Sequence, residues 1–139
     1  RRAFVKAAAE ISLALRMWFS ALEQVAGTFG QAIEGIPADR LLETGEPTTI
    51  DLAGLPFGPG ELEHLEATLG MGELSAKLDA LGTSRIRETA FPGVWWLEHR
   101  NVNDELVGRF IEVTRAPEIL SSQDADIAAG RARLRDQLD

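Results

Sequence analysis

The 139-residue chain contains no cysteine, and this absence removes several classes of site at once. Disulfide scaffolds, thiolate zinc sites, cysteine-ligated iron–sulfur clusters and thiol nucleophiles all require that side chain. Histidine is scarce too, because the sequence holds only two, so a metal site built on several imidazoles would need carboxylates to complete it. We therefore expect a fold that needs no metal and no other cofactor.

The sequence also lacks long apolar runs and a surplus of positive charge. No uninterrupted apolar stretch comes near the roughly 20 residues that span a bilayer, so no membrane partner is expected. The formal net charge is −8, which argues against nucleic-acid binding, because neutralising phosphates takes a basic face. Residues 36–83 hold nine acidic and two basic side chains. This stretch predicts a solvated acidic helix face, with an acidic docking surface as the alternative.

Length and composition are those of a single folded domain spanning residues 1–139. Hydrophobic residues make up 45% of the chain and charged residues 26%, proportions that are ordinary for a globular protein. The opening letters, RRAFVK, match the twin-arginine export consensus. Glu10 and Arg16 interrupt the apolar stretch that an export signal needs next, so we expect a cytoplasmic protein with a core-packing helix there.

Apolar residues spaced three and four apart predict a long N-terminal helix from Ala3 to about Gly35. The apolar stripe includes Phe4, Ile11, Leu15, Trp18, Leu22 and Phe29. We expect this helix to pack on a sheet or on a second copy of itself, which would make a homo-oligomer through the N-terminal helix. Further helices are predicted from Glu61 to Leu69 and from about Ser122 to Leu138, where acidic residues suit the positive helix end.

The hydrophobic period changes to two between these helices and predicts strands. The predicted strands cover residues 48–55, 73–78, 85–91, 94–100 and 106–115, and a turn-rich stretch over 35–49 precedes the first of them. Helix, then strands, then helix is typical of an α+β fold. We expect an antiparallel sheet of four or five strands, packed by the long N-terminal helix and by a C-terminal helix.

Familiar catalytic motifs are missing from the sequence, which has no nucleophile elbow, P-loop, G-x-G-x-x-G or H-E-x-x-H pattern. His64 has one carboxylate, Glu61, at helical spacing, which favours a solvated residue over a metal ligand. His99 lies near the end of a predicted strand. Glu88 and Glu112 could meet on the sheet, but arginines on the same strands make cross-strand ion pairs the favoured interpretation.

Two adjacent tryptophans offer the strongest hint of a functional surface. Consecutive strand residues point to opposite faces, so Trp95 and Trp96 cannot face the same core. Either the strand is central and covered on both faces, or one indole is exposed and marks a partner surface, since tryptophan is frequent among interface hot spots. Our hypothesis is that one indole is partly exposed, with Trp95 the more exposed. The predicted partner-binding residues are Phe91, Trp95, Trp96 and Leu97.

Three segments of the chain contain short sequence motifs that follow one another in a defined order. They read LPFGPGELEHLEATLGMGELS over residues 55–75, IRETAFPGVWWLEHRN over 86–101 and FIEVTRAPEIL over 110–120. The order runs L-P, then L-G-x-G-E followed by valine or leucine, then E-T-x-x-x-G-V-W, E-V and P. In this order the motifs resemble the C-terminal conserved region of the HupH/HyaF family of hydrogenase expression/formation proteins. The chain has Leu74 where valine is commoner in that pattern, which changes little.

The resemblance implies a non-enzymatic accessory protein, similar in role to a chaperone or adaptor, for the assembly and maturation of nickel–iron uptake hydrogenase. It implies the hydrogenase small subunit, or other assembly factors, as partners, and it supplies no catalytic residues. Family members are longer than this chain, so we expect an N-terminal portion to be missing from it. Two alternatives remain: a small enzyme using carboxylates on the sheet with His99, and an oligomerisation or structural module.

Overall fold

The computed structural model of the protein describes residues 40–139. The helix predicted from Ala3 to Gly35 lies outside these residues. The described elements are helices α1 (Arg40–Thr44), α2 (Glu61–Leu69) and α3 (Asp124–Leu138), and strands β1 (Thr48–Asp51), β2 (Ser75–Ala80), β3 (Gly82–Glu88), β4 (Val94–Arg100) and β5 (Leu106–Val113). Two 3₁₀ turns, Leu52–Gly54 and Glu118–Leu120, follow β1 and β5. The predicted α+β class is confirmed.

The five strands form one antiparallel sheet in the order β1-β5-β4-β3-β2. Strands β2 to β5 are a meander in which each strand pairs with the next, and β1 joins the far side of β5. Strand β4 therefore occupies the centre of the sheet. The predicted bounds of α2 and β4 agree with the structure residue for residue, because α2 lies between Gly60 and Gly70 and β4 runs from Pro92-Gly93 to the turn that starts at Asn101.

The larger core lies on the face of the sheet that α1 and α2 cover. Its buried side chains come from both helices, the first 3₁₀ turn and strands β1, β4 and β5. They are Leu41, Ile50, Leu52, Leu65, Leu69, Val94, Trp96, Ile111 and Val113. We call this set the first cluster. Helix α2 contributes Leu65 and Leu69, one turn apart on the side that meets the sheet.

A smaller second cluster lies on the opposite face and contains Ile86, Trp95 and Leu97. Leu74, Ala76 and Phe110 are partly buried around it. The chain that follows β5 crosses one end of this face, because the Trp95 indole N–H donates to the Thr114 carbonyl at 3.0 Å.

Both tryptophans of β4 are buried, with 2% of Trp95 and 1% of Trp96 exposed. The prediction that one indole is exposed, with Trp95 the more accessible, is therefore wrong. The other alternative, a central strand covered on both faces, is the one the structure adopts. The physical reason is the position of β4, which has two strands on either side of it and apolar clusters above and below.

The C-terminal helix exists as predicted, but it does not pack on the sheet as we expected. None of its fifteen residues is buried, and Ile127, Leu134 and Leu138 are each more than half exposed. Its sequence, DADIAAGRARLRDQL, holds too few large apolar side chains for a continuous packing stripe. Among residues 40–139, no helix combines the length and the apolar character that crossing a bilayer requires.

Two local differences at the start of the described chain have simple causes. The stretch predicted as turns contains the short helix α1, which is anchored by the burial of Leu41. Strand β1 ends at Asp51, earlier than predicted, because the Asp51 carboxylate accepts the Ala53 N–H at 2.9 Å and starts a 3₁₀ turn.

Candidate functional site

The structure separates the four predicted partner-binding residues. Trp95, Trp96 and Leu97 are buried, whereas Phe91 is half-buried and packs against the first cluster. Three of the four residues therefore hold the sheet together. Phe91 is the member of this group that combines packing with an accessible surface, and it lies in the loop between β3 and β4.

Two loops run side by side at this end of the sheet, and we call residues 70–74 and 89–93 the paired loops. The Ala90 N–H donates to the Leu69 carbonyl at 2.8 Å, and the Gly72 N–H donates to the Glu88 carbonyl at 2.8 Å. The Glu88 N–H in turn donates to the Leu74 carbonyl at 2.9 Å. Backbone hydrogen bonds from each loop to the end of the helix or strand beside the other loop thus hold the two loops next to each other.

Gly72 is required by this close approach. A Cβ atom at position 72 would lie 2.3 Å from the Thr89 carbonyl oxygen, far inside van der Waals contact. The second glycine of the L-G-x-G-E motif therefore lets the two loops touch. Sequence pattern alone marks the glycine, and the structure supplies the reason for it.

Arg87 ties the paired loops to the sheet and to α2. Its guanidinium donates to the Gly70 carbonyl and to the Glu66 carboxylate, each at 2.8 Å. The same group lies 5.2 Å from the centre of the Trp96 ring, in cation–π geometry. One side chain therefore connects the C-terminal end of α2, the first loop and the central strand.

The second loop is closed by Thr89, which is 1% exposed. Its hydroxyl accepts the Phe91 N–H at 3.1 Å and lies 3.2 Å from the Phe91 carbonyl. The Val94 N–H also donates to that carbonyl, at 3.1 Å. Phe91 is consequently held in place by its own backbone on both sides, so its ring is presented from a rigid turn.

Accessible apolar side chains lie on the paired loops. Met71 is 73% exposed on the first loop, and on the second loop Ala90 is exposed while Phe91 and Pro92 are half-buried. An adaptable thioether and an aromatic ring on a fixed frame suit the binding of an apolar polypeptide segment. The sequence reasoning missed Met71. The signal that could have found it is its place between the two glycines of LGMG.

The carboxylates of the sheet divide between its two faces. Glu98 accepts hydrogen bonds from the Trp96 indole at 3.0 Å and from Arg109 at 3.1 Å, and Arg109 is its direct cross-strand neighbour. Glu98 and Arg109 thus form a cross-strand ion pair, at a carboxylate that the sequence analysis did not single out. Glu88 and Glu112 lie on the other face, one on each side of Trp95.

These environments move two pKa values in opposite directions. Burial raises the pKa of Glu98, but hydrogen bonds from Trp96 and Arg109 outweigh it, so the pKa lies below its usual value. Burial raises the pKa of Glu112, and the nearby carboxylate of Glu118 adds to the rise. Ionised Glu98 therefore stabilises the fold, whereas ionised Glu112 destabilises it.

Replacing Glu98 with glutamine is expected to weaken the fold at neutral pH and not at acid pH. The stabilisation from Glu98 is present above its unfolded pKa, about 4.5, and is lost as the pH falls through the lower folded pKa. Glu98→Gln should lower the free energy of unfolding by on the order of 1 kcal/mol at pH 7. Urea unfolding at a series of pH values measures this difference.

Glu112→Gln is the matched control, with the opposite sign. A folded pKa above the unfolded value favours the fold below the unfolded pKa, and that advantage disappears as the pH rises through the folded pKa. The glutamine variant should therefore gain stability relative to the parent at pH 7 and lose that gain in acid. The same pH response in both variants would contradict the opposite pKa shifts of Glu98 and Glu112.

The histidines occupy unrelated positions. His64 is exposed on α2. His99 Nδ1 lies 2.7 Å from the Ser84 hydroxyl, and its ring tilts against Phe110 with 5.6 Å between centroids. Neither histidine lines the open depression of about 280 Å³ between the β2–β3 and β4–β5 turns, which is bordered by Asp79, Ala80, Gly82, Thr83, Asn101, Val102 and Asp104. Within residues 40–139 no group of three or more potential metal ligands converges.

Most of the chain matches the model of a single known protein family. Residues 35–139 match the family model described as HupH hydrogenase expression protein, C-terminal conserved region. Every described element of the fold, including the paired loops, lies inside the matched range.

Individual relatives agree with this match. The chain is 34% identical over 99 residues to hydrogenase expression/formation protein HoxQ of Azotobacter vinelandii, covering 71% of this chain and 34% of that protein. It is 33% identical over 95 residues to hydrogenase expression/formation protein HupH of Rhodobacter capsulatus, covering 68% and 34%. The chain thus spans about a third of the length of these relatives.

A solved structure is similar over nearly the whole chain. Hydrogenase expression protein HupH from Thiobacillus denitrificans ATCC 25259 is 42% identical in sequence to this chain. The two structures superpose with a TM-score of 0.69, and the match covers 98% of each chain.

Proposed function

The chain belongs to the HupH family of hydrogenase expression proteins, and from this premise we propose that it acts as a cytoplasmic, non-enzymatic chaperone or adaptor in hydrogenase maturation. Its client in this proposal is the immature small subunit of a nickel–iron uptake hydrogenase. The names of the relatives, hydrogenase expression/formation proteins, support the general role. The client and the binding action go beyond those names.

One observation carries the proposal, and it is the pair of accessible apolar side chains on a rigid frame. Met71 is 73% exposed, Phe91 is half-buried, and the loops beneath both side chains are fixed by backbone hydrogen bonds. A frame that is already ordered loses little conformational entropy on binding. An immature subunit exposes apolar segments that its mature fold would bury, and such segments match this surface.

The proposed binding mode assigns separate roles to the four residues predicted from the sequence. Phe91 contacts the client directly and is joined there by Met71. Trp95, Trp96 and Leu97 are buried in the two clusters, so they support binding only by stabilising the fold. Arg87 holds the first loop in position through its hydrogen bond to Gly70.

The proposal is tested by co-purification of the protein from cells that make a nickel–iron uptake hydrogenase, followed by identification of the bound subunit. Met71→Asp should weaken binding of the purified small subunit by at least about tenfold, because a charge replaces an apolar contact. The substitution leaves the fold intact, since an exposed side chain seldom affects stability by more than about 0.5 kcal/mol.

Val102→Asp is the matched control. Val102 is 74% exposed and lies in the β4–β5 turn, at the other end of the central strand from the paired loops. The seven residues of β4 place the two sites roughly 20 Å apart. Binding should be unchanged in this variant. Equal losses in both variants, or none in either, would remove the paired loops from the proposal.

A further inference from the structure

Strand β2 forms one edge of the sheet, and within residues 40–139 no strand pairs with its outer side. Five of its six residues are exposed, and the sixth is half-buried. It pairs with β3 through six consecutive residue pairs in an uninterrupted register. A regular edge of this kind presents a row of N–H and C=O groups that can pair with another strand.

The usual protection against such pairing is weak in β2. Its sequence, SAKLDA, contains no proline. It is also the longer of the two edge strands, with six residues against the four of β1. Lys77 is the kind of charge that normally protects an edge. The Lys77 ammonium lies 3.1 Å from the Asp79 carboxylate, and both side chains are more than half exposed. An exposed ion pair contributes little stability, so its partners can be exchanged at little cost.

We propose that β2 pairs antiparallel with β2 of a second copy of this chain, about a two-fold axis at Leu78. In this register Lys77 of each copy faces Asp79 of the other, and Ala76 faces Ala80. An axis at Lys77 would place two ammonium groups opposite each other, and an axis at Asp79 would place two carboxylates there. The charge pattern of the strand therefore selects the axis at Leu78.

The apolar side of the strand supports the same axis. Ala76 packs at the margin of the second cluster, and Leu78, 40% exposed, follows it on the same face. At the two-fold axis the Leu78 side chains of the two copies would meet and extend the second cluster across the interface. The two five-stranded sheets would become one continuous sheet.

A single cysteine tests the axis, because the parent chain has none. In an antiparallel pair, residues that face each other have Cα atoms about 4.5–5.5 Å apart, within the range that a disulfide bridges. Leu78→Cys should therefore form a covalent dimer on mild oxidation. Ala80→Cys is the control, because its counterpart in the second copy lies four residues away, roughly 13 Å, beyond the reach of a disulfide.

Charge exchange tests the register independently of oxidation. Lys77→Glu and Asp79→Lys should each weaken dimerisation by about tenfold or more in sedimentation equilibrium, because each places like charges across both symmetric pairs. The double variant Lys77→Glu/Asp79→Lys restores opposite charges and should dimerise like the parent. A monomeric parent would instead favour residues 1–39 of the same chain, or another protein, as the occupant of the edge. A monomeric parent, or single variants that dimerise as tightly as the double variant, would overturn the proposal.

Discussion

Trp96→Ala is expected to lower the free energy of unfolding by about 3–5 kcal/mol, because it removes the largest side chain of the first cluster. The loss extends beyond apolar contact. The indole N–H donates to Glu98 at 3.0 Å, and the ring lies beneath the Arg87 guanidinium. Removing the ring leaves Arg87 without its aromatic contact, so the anchor of the first loop should loosen as well. Urea unfolding followed by circular dichroism measures the change.

Trp95→Ala should cost a similar amount through the other face of the sheet. Its indole is 2% exposed and donates to the Thr114 carbonyl, which would lose that donor in the variant. Val107→Ala is the control, because Val107 is 64% exposed on β5 and its truncation should change stability by no more than about 0.5 kcal/mol. A parent-like unfolding curve for either tryptophan variant would contradict the burial of that indole.

Gly82→Ala is expected to be the most damaging change to a turn, with a loss of about 2–5 kcal/mol. Gly82 opens β3 with φ near +121°, a conformation that side chains disfavour. A Cβ atom there would also lie 2.0 Å from the Arg100 carbonyl oxygen, in backbone that cannot move away cheaply. The β2–β3 and β4–β5 turns would be forced apart. Thermal and urea unfolding would both report the loss.

Gly130→Ala provides the contrast for this variant. Gly130 lies within α3, and apart from the backbone of its own helix and its chain neighbours no atom lies within 4 Å of where its Cβ would be. Alanine is favoured over glycine inside a helix by roughly 0.5–1 kcal/mol, so the helix should become more stable. Two glycine-to-alanine changes with opposite signs would show that local geometry decides the effect. Equal losses of stability in both variants would contradict this dependence on local backbone geometry.

Segments that are flanked by glycine or proline could be predicted from the sequence. Strand β4 begins directly after Pro92-Gly93, and α2 lies between Gly60 and Gly70, so residues that break regular structure define both ends of α2 and the start of β4. The period-two pattern also predicted the antiparallel sheet. These features depend on residues that are close together in the sequence, so a single sequence is enough to predict them.

The burial of both tryptophans could not be predicted in the same way. Alternation along β4 places Trp95 and Trp96 on opposite faces, but their exposure depends on the order of the strands and on what covers each face. The centre of a sheet is a property of the whole topology. The candidate site shows the same limit, because the segments that carry Met71 and Phe91 are brought side by side by backbone hydrogen bonds between distant parts of the chain, such as that from Gly72 to Glu88.

The strand order also sets the sequence of events in which this domain can fold. Strands β2 to β5 pair as neighbours, so they can form by closing short loops, whereas β1 must find β5, with Thr48 opposite Val113. During synthesis, residues 40–69 leave the ribosome before strands β2 to β5, and the first cluster cannot be completed until β5, which supplies Ile111 and Val113, has emerged. The helical layer made first is thus completed last, and its apolar residues stay open to water, and to chaperones, in the interval.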